Sequence, residues 1–356
     1  MSVADDQMRI AIIGTGGIAG MHAGCLRDIP GVEVVGLCDI VPGKAEKFGR
    51  RHGYEGARTY LNHRDLLKGV KCDAAIVATY NSAHSVVTVD CLNAGIPVLC
   101  EKPMSVTLAE AVAMERAARK AKLVLSIGFQ PRFDPNMKMI RDVVQSGVLG
   151  KVYYIETGGG RRRGIPGGTF IKKELAGVGA IADIGCYSLD MVLHALGYPK
   201  PLTVSAYRSD FFGKNPKYSP DWKPSEFDVE DFGVAMVRLE GGAVLYFKIS
   251  WAMHMDTLGP TLFLGTEAGL KCTDQGVTMF HDLPGGYMTQ SPLPTQRCSY
   301  ERMFTEKIRA FLKAVREGSE SPVPGSEIVI NQAIIDGIVR SCEAGREVDI
   351  VIPALG

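Results

Sequence analysis

Residues 8–20 read MRIAIIGTGGIAG, and the order of residue types in this stretch decides the character of the first third of the chain. Arg9 to Ile13 is a short apolar run of strand type, Gly14-Thr15-Gly16-Gly17 interrupts it, and Ile18 to Ile29 reads as a helix. The unit is strand, tight turn, helix. Its glycines follow Gly14-x-Gly16-x-x-Ala19, in which Gly14 permits the turn, Gly16 lets the backbone approach a pyrophosphate, and Ala19 keeps the helix close to the strand. Phosphates are then expected at the helix N-terminus, contacted by Gly14, Thr15, Gly16, Gly17 and Ile18, because unpaired N–H groups and the helix dipole favour negative charge there. A second strand, Val32 to Leu37, leads to Asp39, 25 residues after Gly14, which is where an acid meets the ribose hydroxyls in this pattern. With 41 glycines in 356 residues a lone triplet would mean little, so the reading rests on the whole strand, loop, helix, strand, acid order. Asp39 is followed by Ile40 and Val41 and not by an arginine that would hold a 2′-phosphate, which favours NAD over NADP; Lys44 pulls the other way.

The length of 356 residues suggests two domains, expected at 1–127 and 128–356. Forty basic side chains against 39 acidic ones exclude a broad field for nucleic acid or a membrane surface, so the expected partners are small molecules and copies of the chain itself. The nine cysteines are scattered with no C-x-x-C pair and read as buried thiols of a reducing cytosol, neither disulfides nor a metal site. Residues 2–7 (SVADDQ) have no apolar core of a leader, and no long apolar run occurs, so a cytoplasmic location is expected.

Between the fingerprint and residue 127 strands and helices alternate: strand Ala74 to Ala78, helix His84 to Asn93, strand Val98 to Cys100, helix Leu108 to Lys120, strand Leu123 to Ile127. Short Val/Ile/Leu runs without alternation are what strands covered on both faces look like, so the fold class is α/β with a doubly wound parallel sheet. Ligands bind beyond the carboxyl ends of such strands, which places Thr79, Asn81 and His84, and then Glu101 and Lys102, at the cofactor. After residue 128 the pattern becomes α+β with a large, mostly antiparallel open sheet. Asp134 to Gln145 and Asp183 to Leu196 read as helices, and Lys151 to Thr157 as a strand. Val229 to Leu239 and Ala243 to Trp251 form a hairpin over Glu240-Gly241-Gly242, and Tyr300 to Glu317 and Ser326 to Ala344 are long helices. On the second hairpin strand Leu245, Phe247, Ile249 and Trp251 share a buried face, leaving the other, half-polar face for an oligomer contact. Arg208 to Phe227 is too long for an ordinary connection and reads as a functional or interface loop.

The fingerprint, Glu101-Lys102-Pro103, the stretch GVGAIADIGCYSLD at 177–190, SWA at 250–252 and the closing helix occur in this order over nearly the whole chain. In this the sequence resembles the Gfo/Idh/MocA family of NAD(P)-dependent sugar and cyclitol oxidoreductases. The resemblance implies a Rossmann domain followed by an α/β domain with an open sheet, and homo-oligomers (dimers, tetramers or larger). It also implies Lys102 as the active-site lysine, completed by Asp183 and residue 187. That last position is usually histidine; here it is Tyr187. Independently, Asp183, Tyr187, Asp190 and His194 are spaced to line one face of a helix, a polar stripe that needs a cleft or water to face.

Oxidising an alcohol requires a group that takes the hydroxyl proton while hydride leaves carbon. A tyrosine of pKa about 10 is a poor base unless a cation lowers that value, which Lys102 is able to do. Asp183 would act in the opposite sense and is assigned to a substrate hydroxyl or to pairing with Lys102. Whether Tyr187 or Lys102 is the base stays open. RRRGIP at 161–166, with TYNSAHS, FQPRFDPNM and SWAMHMD, is most similar to family members that oxidise the 3-hydroxyl of a glucoside. The arginines, set among Gly158, Gly159, Gly160, Gly164, Gly167 and Gly168, suggest a hinged lid, with Arg161 toward the cofactor and Arg163 toward the sugar. Gln130, Arg132 and His254 are further candidates for sugar hydroxyls. An inositol dehydrogenase, a redox-neutral glycosidase using NAD transiently, and a dinucleotide-sensing regulator are the competing readings.

Overall fold

The computed structural model describes residues 7–218 and 221–356. By its internal contacts the chain groups into two compact units: residues 1–133, 299–329 and 354–356 form one, and residues 134–298 and 330–353 the other.

The first unit is built on a parallel sheet of β1 (Met8–Ile13), β2 (Val32–Cys38), β3 (Arg58–Tyr60), β4 (Ala74–Val77), β5 (Val98–Cys100) and β6 (Leu125–Ile127), in the order β3-β2-β1-β4-β5-β6. This is the doubly wound dinucleotide-binding order, with its reversal between β1 and β4. The helices between strands are α1 (Gly17–Arg27), α2 (Lys44–His52), α3 (His63–Gly69), α4 (Asn81–Asn93) and α5 (Leu108–Ala121). The expected apolar runs are the sheet: Ile10, Ile12, Ile76, Val77, Val98 and Leu99 are fully buried. The α2–β3–α3 segment carries no such run, and the sequence reading did not resolve its elements.

The second unit holds α6 (Pro135–Gln145), β7 (Val152–Gly160), the short helices α7 (Lys173–Ala176) and α8 (Ala180–Asp183), and α9 (Gly185–Leu196). Its strands continue with β8 (Pro201–Ser209), β9 (Phe232–Leu239), β10 (Val244–Ser250), β11 (Thr261–Gly265), β12 (Ala268–Thr273), β13 (Gly276–Leu283) and β14 (Tyr287–Pro292). The chain then returns to the first unit with α10 (Tyr300–Glu317), and closes with α11 (Gly325–Ala344) and β15 (Val348–Asp349). β7 to β15 make one open sheet in which only the β7–β10 pair is parallel. The β9–β10 hairpin turns over Gly241 and Gly242, both at positive φ (81° and 87°), which glycine adopts without steric cost. One face of the sheet is sealed, with Ile155, Leu245, Phe247, Ile249 and Phe263 all at 0 % exposure. The opposite face carries the half-buried Tyr154, Tyr246, Met236 and Leu262 in neighbouring register around a Lys248–Glu156 ion pair.

Two local expectations are corrected. Asp183 does not begin one continuous helix with Tyr187: the chain breaks at Ile184 between α8 and α9. The chain is tightly packed before α8 and just after the break: a Cβ on Gly179 would lie 2.0 Å from the Glu230 carbonyl oxygen and one on Gly185 would lie 2.7 Å from the Phe247 ring, so both positions require glycine. Gly158, Gly159 and Gly160 are not a hinge either. They are the end of β7, paired with Lys248, Ile249 and Ser250, and a Cβ on Gly158 would lie 2.5 Å from the Lys248 carbonyl oxygen. All nine cysteines are free, five buried and four half-buried. No single helix among the described residues is long and apolar enough to cross a membrane.

Candidate active site

At the carboxyl ends of β1, β2, β4 and β5 the first unit gathers the fingerprint, Asp39, Thr79 and Glu101-Lys102. Gly14 turns at φ +92°, and a Cβ there would strike the Ala78 carbonyl oxygen at 2.4 Å, so only glycine lets β1 and β4 close up. At Gly16 and Gly17 the space a Cβ would fill is open, and no side chain caps α1. An uncapped helix N-terminus with open ground before it fits a pyrophosphate, which would be held by the N–H groups of the loop. Ile18 is half-buried in the first turn of α1, and Ile40 is 68 % exposed one residue beyond the acid.

Asp39 is heavily committed. Its Oδ2 accepts from Thr15 N–H at 3.0 Å and Thr15 Oγ1 at 2.7 Å and pairs with Lys44 Nζ at 2.7 Å, while Oδ1 accepts from Val41 N–H at 3.0 Å. Burial opposes its charge, but Lys44 and Thr15 outweigh burial and hold the carboxyl below its usual range.

Thr79 is half-exposed and Asn81 is buried at the start of α4. The His84 ring is 1 % exposed, with Nδ1 2.8 Å from Pro103 O and Nε2 3.2 Å from Thr79 O. Burial keeps it neutral, so it has one N–H to donate and serves as a strut between the two strand ends.

Glu101 is likewise internal. Its Oε1 accepts from Lys307 Nζ of α10 at 2.6 Å and from His22 Nε2 of α1 at 2.7 Å, and its Oε2 accepts the backbone N–H of Lys102 at 3.3 Å. All three side chains are at 3 % exposure or less, and Lys307 also lies 3.7 Å over the Phe304 ring. Burial pushes the Glu101 pKa up, yet Lys307 and then His22 hold it well below the usual carboxylate range. His22 is kept neutral by burial and by the Lys307 charge, and its Nδ1 has no partner among the described residues. Lys102 therefore leaves β5 from a residue clamped by both α1 and α10. The lysine in α10 was invisible to sequence reasoning, because a lysine in an amphipathic helix normally reads as surface.

In the second unit Asp183 is buried at 7 % exposure, and its Oδ2 accepts from the Trp251 indole N–H at 2.9 Å. That bond gives the SWA stretch a physical role. Upstream, Glu230 Oε1 accepts the Ile181 N–H at 3.0 Å and its carbonyl accepts the Ala180 N–H at 3.1 Å, so a buried acid fixes the start of α8 and thereby Asp183. Tyr187 is half-buried one turn on, in α9, which is held by Asn331 Nδ2 donating to Cys186 O at 2.9 Å. Asp190 accepts from the Tyr198 hydroxyl.

The arginine run is pinned along residues 250–253. Arg161 N–H donates to Ser250 O at 2.9 Å, and Met253 N–H to Arg162 O at 3.2 Å. Arg161 Nη1 donates to Gly164 O at 2.9 Å, and Arg163 Nη1 to Met253 O at 2.8 Å. The Arg163 guanidinium lies 4.5 Å from the Tyr218 ring centroid and 5.1 Å from that of Phe212. His254 is exposed, with Nε2 3.2 Å from the Tyr218 hydroxyl. Of the remaining candidates, Gln130 is 2 % exposed and donates to the Tyr300 hydroxyl at 3.1 Å, and Arg132 pairs with Glu327 at 2.5 Å.

Comparison with known proteins places the chain in a family. Residues 8–129 match the family model described as "Oxidoreductase family, NAD-binding Rossmann fold", and residues 137–271 match the "GFO/IDH/MocA C-terminal domain". The D-glucoside 3-dehydrogenase of Escherichia coli (strain K12) is 29% identical, over 98% of this chain and 99% of that protein. The myo-inositol 2-dehydrogenase of Thermotoga maritima is 32% identical over 42% of this chain and 44% of its own length. A levoglucosan dehydrogenase solved as a complex with NADH superposes with a TM-score of 0.85 at 20% identity, covering 97% of this chain and 99% of its own, a likeness of fold. The chain belongs to the Gfo/Idh/MocA family and is an NAD-dependent oxidoreductase.

Proposed function

We propose that the protein oxidises the 3-hydroxyl of a glucoside to the 3-keto-glycoside. Similarity along essentially the full length to a D-glucoside 3-dehydrogenase carries the substrate reading. The chemistry divides one secondary alcohol into a hydride, a proton and a ketone. NAD, when bound, accepts the hydride. The fingerprint loop holds the phosphates, and Asp39 faces the ribose. Lys102, Tyr187 and Asp183 carry the rest: the Tyr187 phenol or the Lys102 amine takes the hydroxyl proton, and Asp183, fixed through Oδ2 by Trp251, orients a sugar hydroxyl. Burial of Asp183 makes its orientation reproducible, and the clamp on Glu101 does the same for Lys102.

Mass spectrometry of a glycoside panel incubated with NAD tests this reading. The expected product lacks two hydrogens and appears one for one with NADH. Release of the aglycone without NADH would identify a redox-neutral glycosidase instead, and turnover of myo-inositol with no turnover of glucosides would move the substrate class to cyclitols. We further propose that the half-buried open sheet face is covered by a second copy, and that sedimentation of the protein will show an oligomer that Tyr246→Glu dissociates.

A further inference from the structure

We infer that Lys307 of α10 is a positioning residue for the reaction: its buried ammonium cancels the charge of Glu101 behind Lys102, a charge that would otherwise hold the active-site lysine as an ammonium. The inference rests on the role given to Lys102 above and adds the residue that tunes it.

Three observations carry the proposal. First, the Glu101 carboxylate is fixed in place. Oε1 takes the Lys307 ammonium at 2.6 Å and the His22 ring at 2.7 Å, and Oε2 takes the Lys102 backbone N–H at 3.3 Å. The carboxylate also lies against Gly128, where a Cβ would come within 2.8 Å of its Cδ and Oε2. With Glu101 at 3 % exposure and Lys307 at 0 %, dissolved ions screen neither partner.

Second, the pair leaves little net charge behind Lys102. Around it stand His22 and Cys25 of α1, His84 of α4 and the Cys100 thiol of β5. Burial and then Lys307 keep His22 neutral, burial keeps His84 neutral, and burial pushes the Cys100 thiol up to about 12. Burial also opposes the Lys307 ammonium, but Glu101 favours it, and the Phe304 ring 3.7 Å from Nζ gives the cation a further contact.

Third, the two lysines interact. Repulsion from Lys102 disfavours the Lys307 ammonium, and the effect is reciprocal. Without Lys307, Lys102 stands beside an uncancelled carboxylate, which favours its ammonium. Without the Glu101 charge it stands near an uncancelled cation, which favours its free amine. The sign is the same if Tyr187 takes the hydroxyl proton, since a bare carboxylate raises a phenol pKa as well. Asp183 and Tyr187, which the proposed reaction brings to Lys102, are unchanged in every variant below.

The test is competitive acetylation of Lys102 by trace acetic anhydride across pH, read by peptide mass spectrometry in the wild type, Lys307→Met, Glu101→Gln, the double variant and Lys307→Arg. The free amine reacts and the ammonium does not, so the midpoint reports Lys102 directly, with neither NAD nor sugar present. It is expected to rise by about one pH unit in Lys307→Met and to fall by about one in Glu101→Gln, the order of effect of a unit charge uncovered nearby at protein dielectric. The double variant, neutral like the native pair, and Lys307→Arg, which keeps the cation, should stay within about 0.3 pH of the wild type. If Lys307→Met does not fold, Glu101→Gln and the double variant still carry the test. A midpoint unmoved in the folded single variants, or moved in the same direction by both, would overturn the proposal and leave Lys307 a structural strut. The acid limb of kcat/KM for a glucoside should follow the same midpoints. A wild type that turns over no glucoside would defeat the proposed reaction, an outcome separate from the acetylation result.

Discussion

Two carboxylate–lysine pairs hang from the strand ends of the same parallel sheet, and they differ in almost everything except length. Asp39–Lys44 spans 2.7 Å with the lysine 44 % exposed; Glu101–Lys307 spans 2.6 Å with the lysine at 0 %. Water competes for the first pair, so it contributes about 0–1 kcal/mol and is exchangeable for a ligand. Neither partner of the second is replaceable by solvent. Its net stabilisation is small next to an apolar substitute, but breaking it strands a buried charge. The open pair suits recognition, and the sealed pair suits holding Lys102 still.

The largest expected effect follows from the sealed pair. Lys307→Met should destabilise the fold by about 3–5 kcal/mol in urea unfolding, because Glu101 keeps its burial and loses its cation. The wild-type Glu101 pKa is depressed in the fold, so its contribution is present above the unfolded value near 4.3 and is lost as pH falls. Lys307→Met should therefore also flatten the acid limb of stability below about pH 5. A loss under about 1 kcal/mol would place this pair in the class of the exposed one.

The next effect is on turnover. Lys102→Ala and Tyr187→Phe should each lower kcat by about 10² or more, with NAD affinity changed far less. Near-full turnover in Tyr187→Phe would leave Lys102 as the base and sharpen the meaning of the clamp behind it.

Asp231 extends the comparison to a buried carboxylate that makes no ion pair among the described residues. It accepts the Phe212 and Gly213 N–H groups at 2.7 Å each, and burial pushes its pKa up to about 6. A raised carboxyl pKa means that the native state binds the extra proton, so this group makes stability fall as pH rises from about 4 to 6. Asp231→Asn should remove that slope, and a slope unchanged in the variant would assign it to another group. The smallest effect belongs to the open pair: Lys44→Ala should change apo-protein stability by less than about 1 kcal/mol.

The parallel sheet was legible because fully buried strands are written as unbroken apolar runs, as in Ile10–Ile13 and Ala74–Val77. The elements of residues 40–73 were not, since α2 reads KAEKFGRRH with only Ala45, Phe48 and Gly49 buried, and β3 is three residues long. Asp183 and Tyr187 keep their i, i+4 spacing in sequence, but the helix expected to join them is broken at Ile184, beside the tightly packed Gly179 and Gly185. Lys307, Glu230 and Trp251, which hold Glu101, α8 and Asp183, are recognisable only once the fold brings distant segments together.

The proposed reaction transfers hydride from C3 of a glucoside to NAD. Incubation of the protein with NAD and an alkyl glucoside deuterated at C3 reads it directly. The account predicts NADH that carries the deuterium and a sugar that has lost it, in equal amounts. Unlabelled NADH, or a glucoside consumed with its C3 deuterium retained, would contradict it.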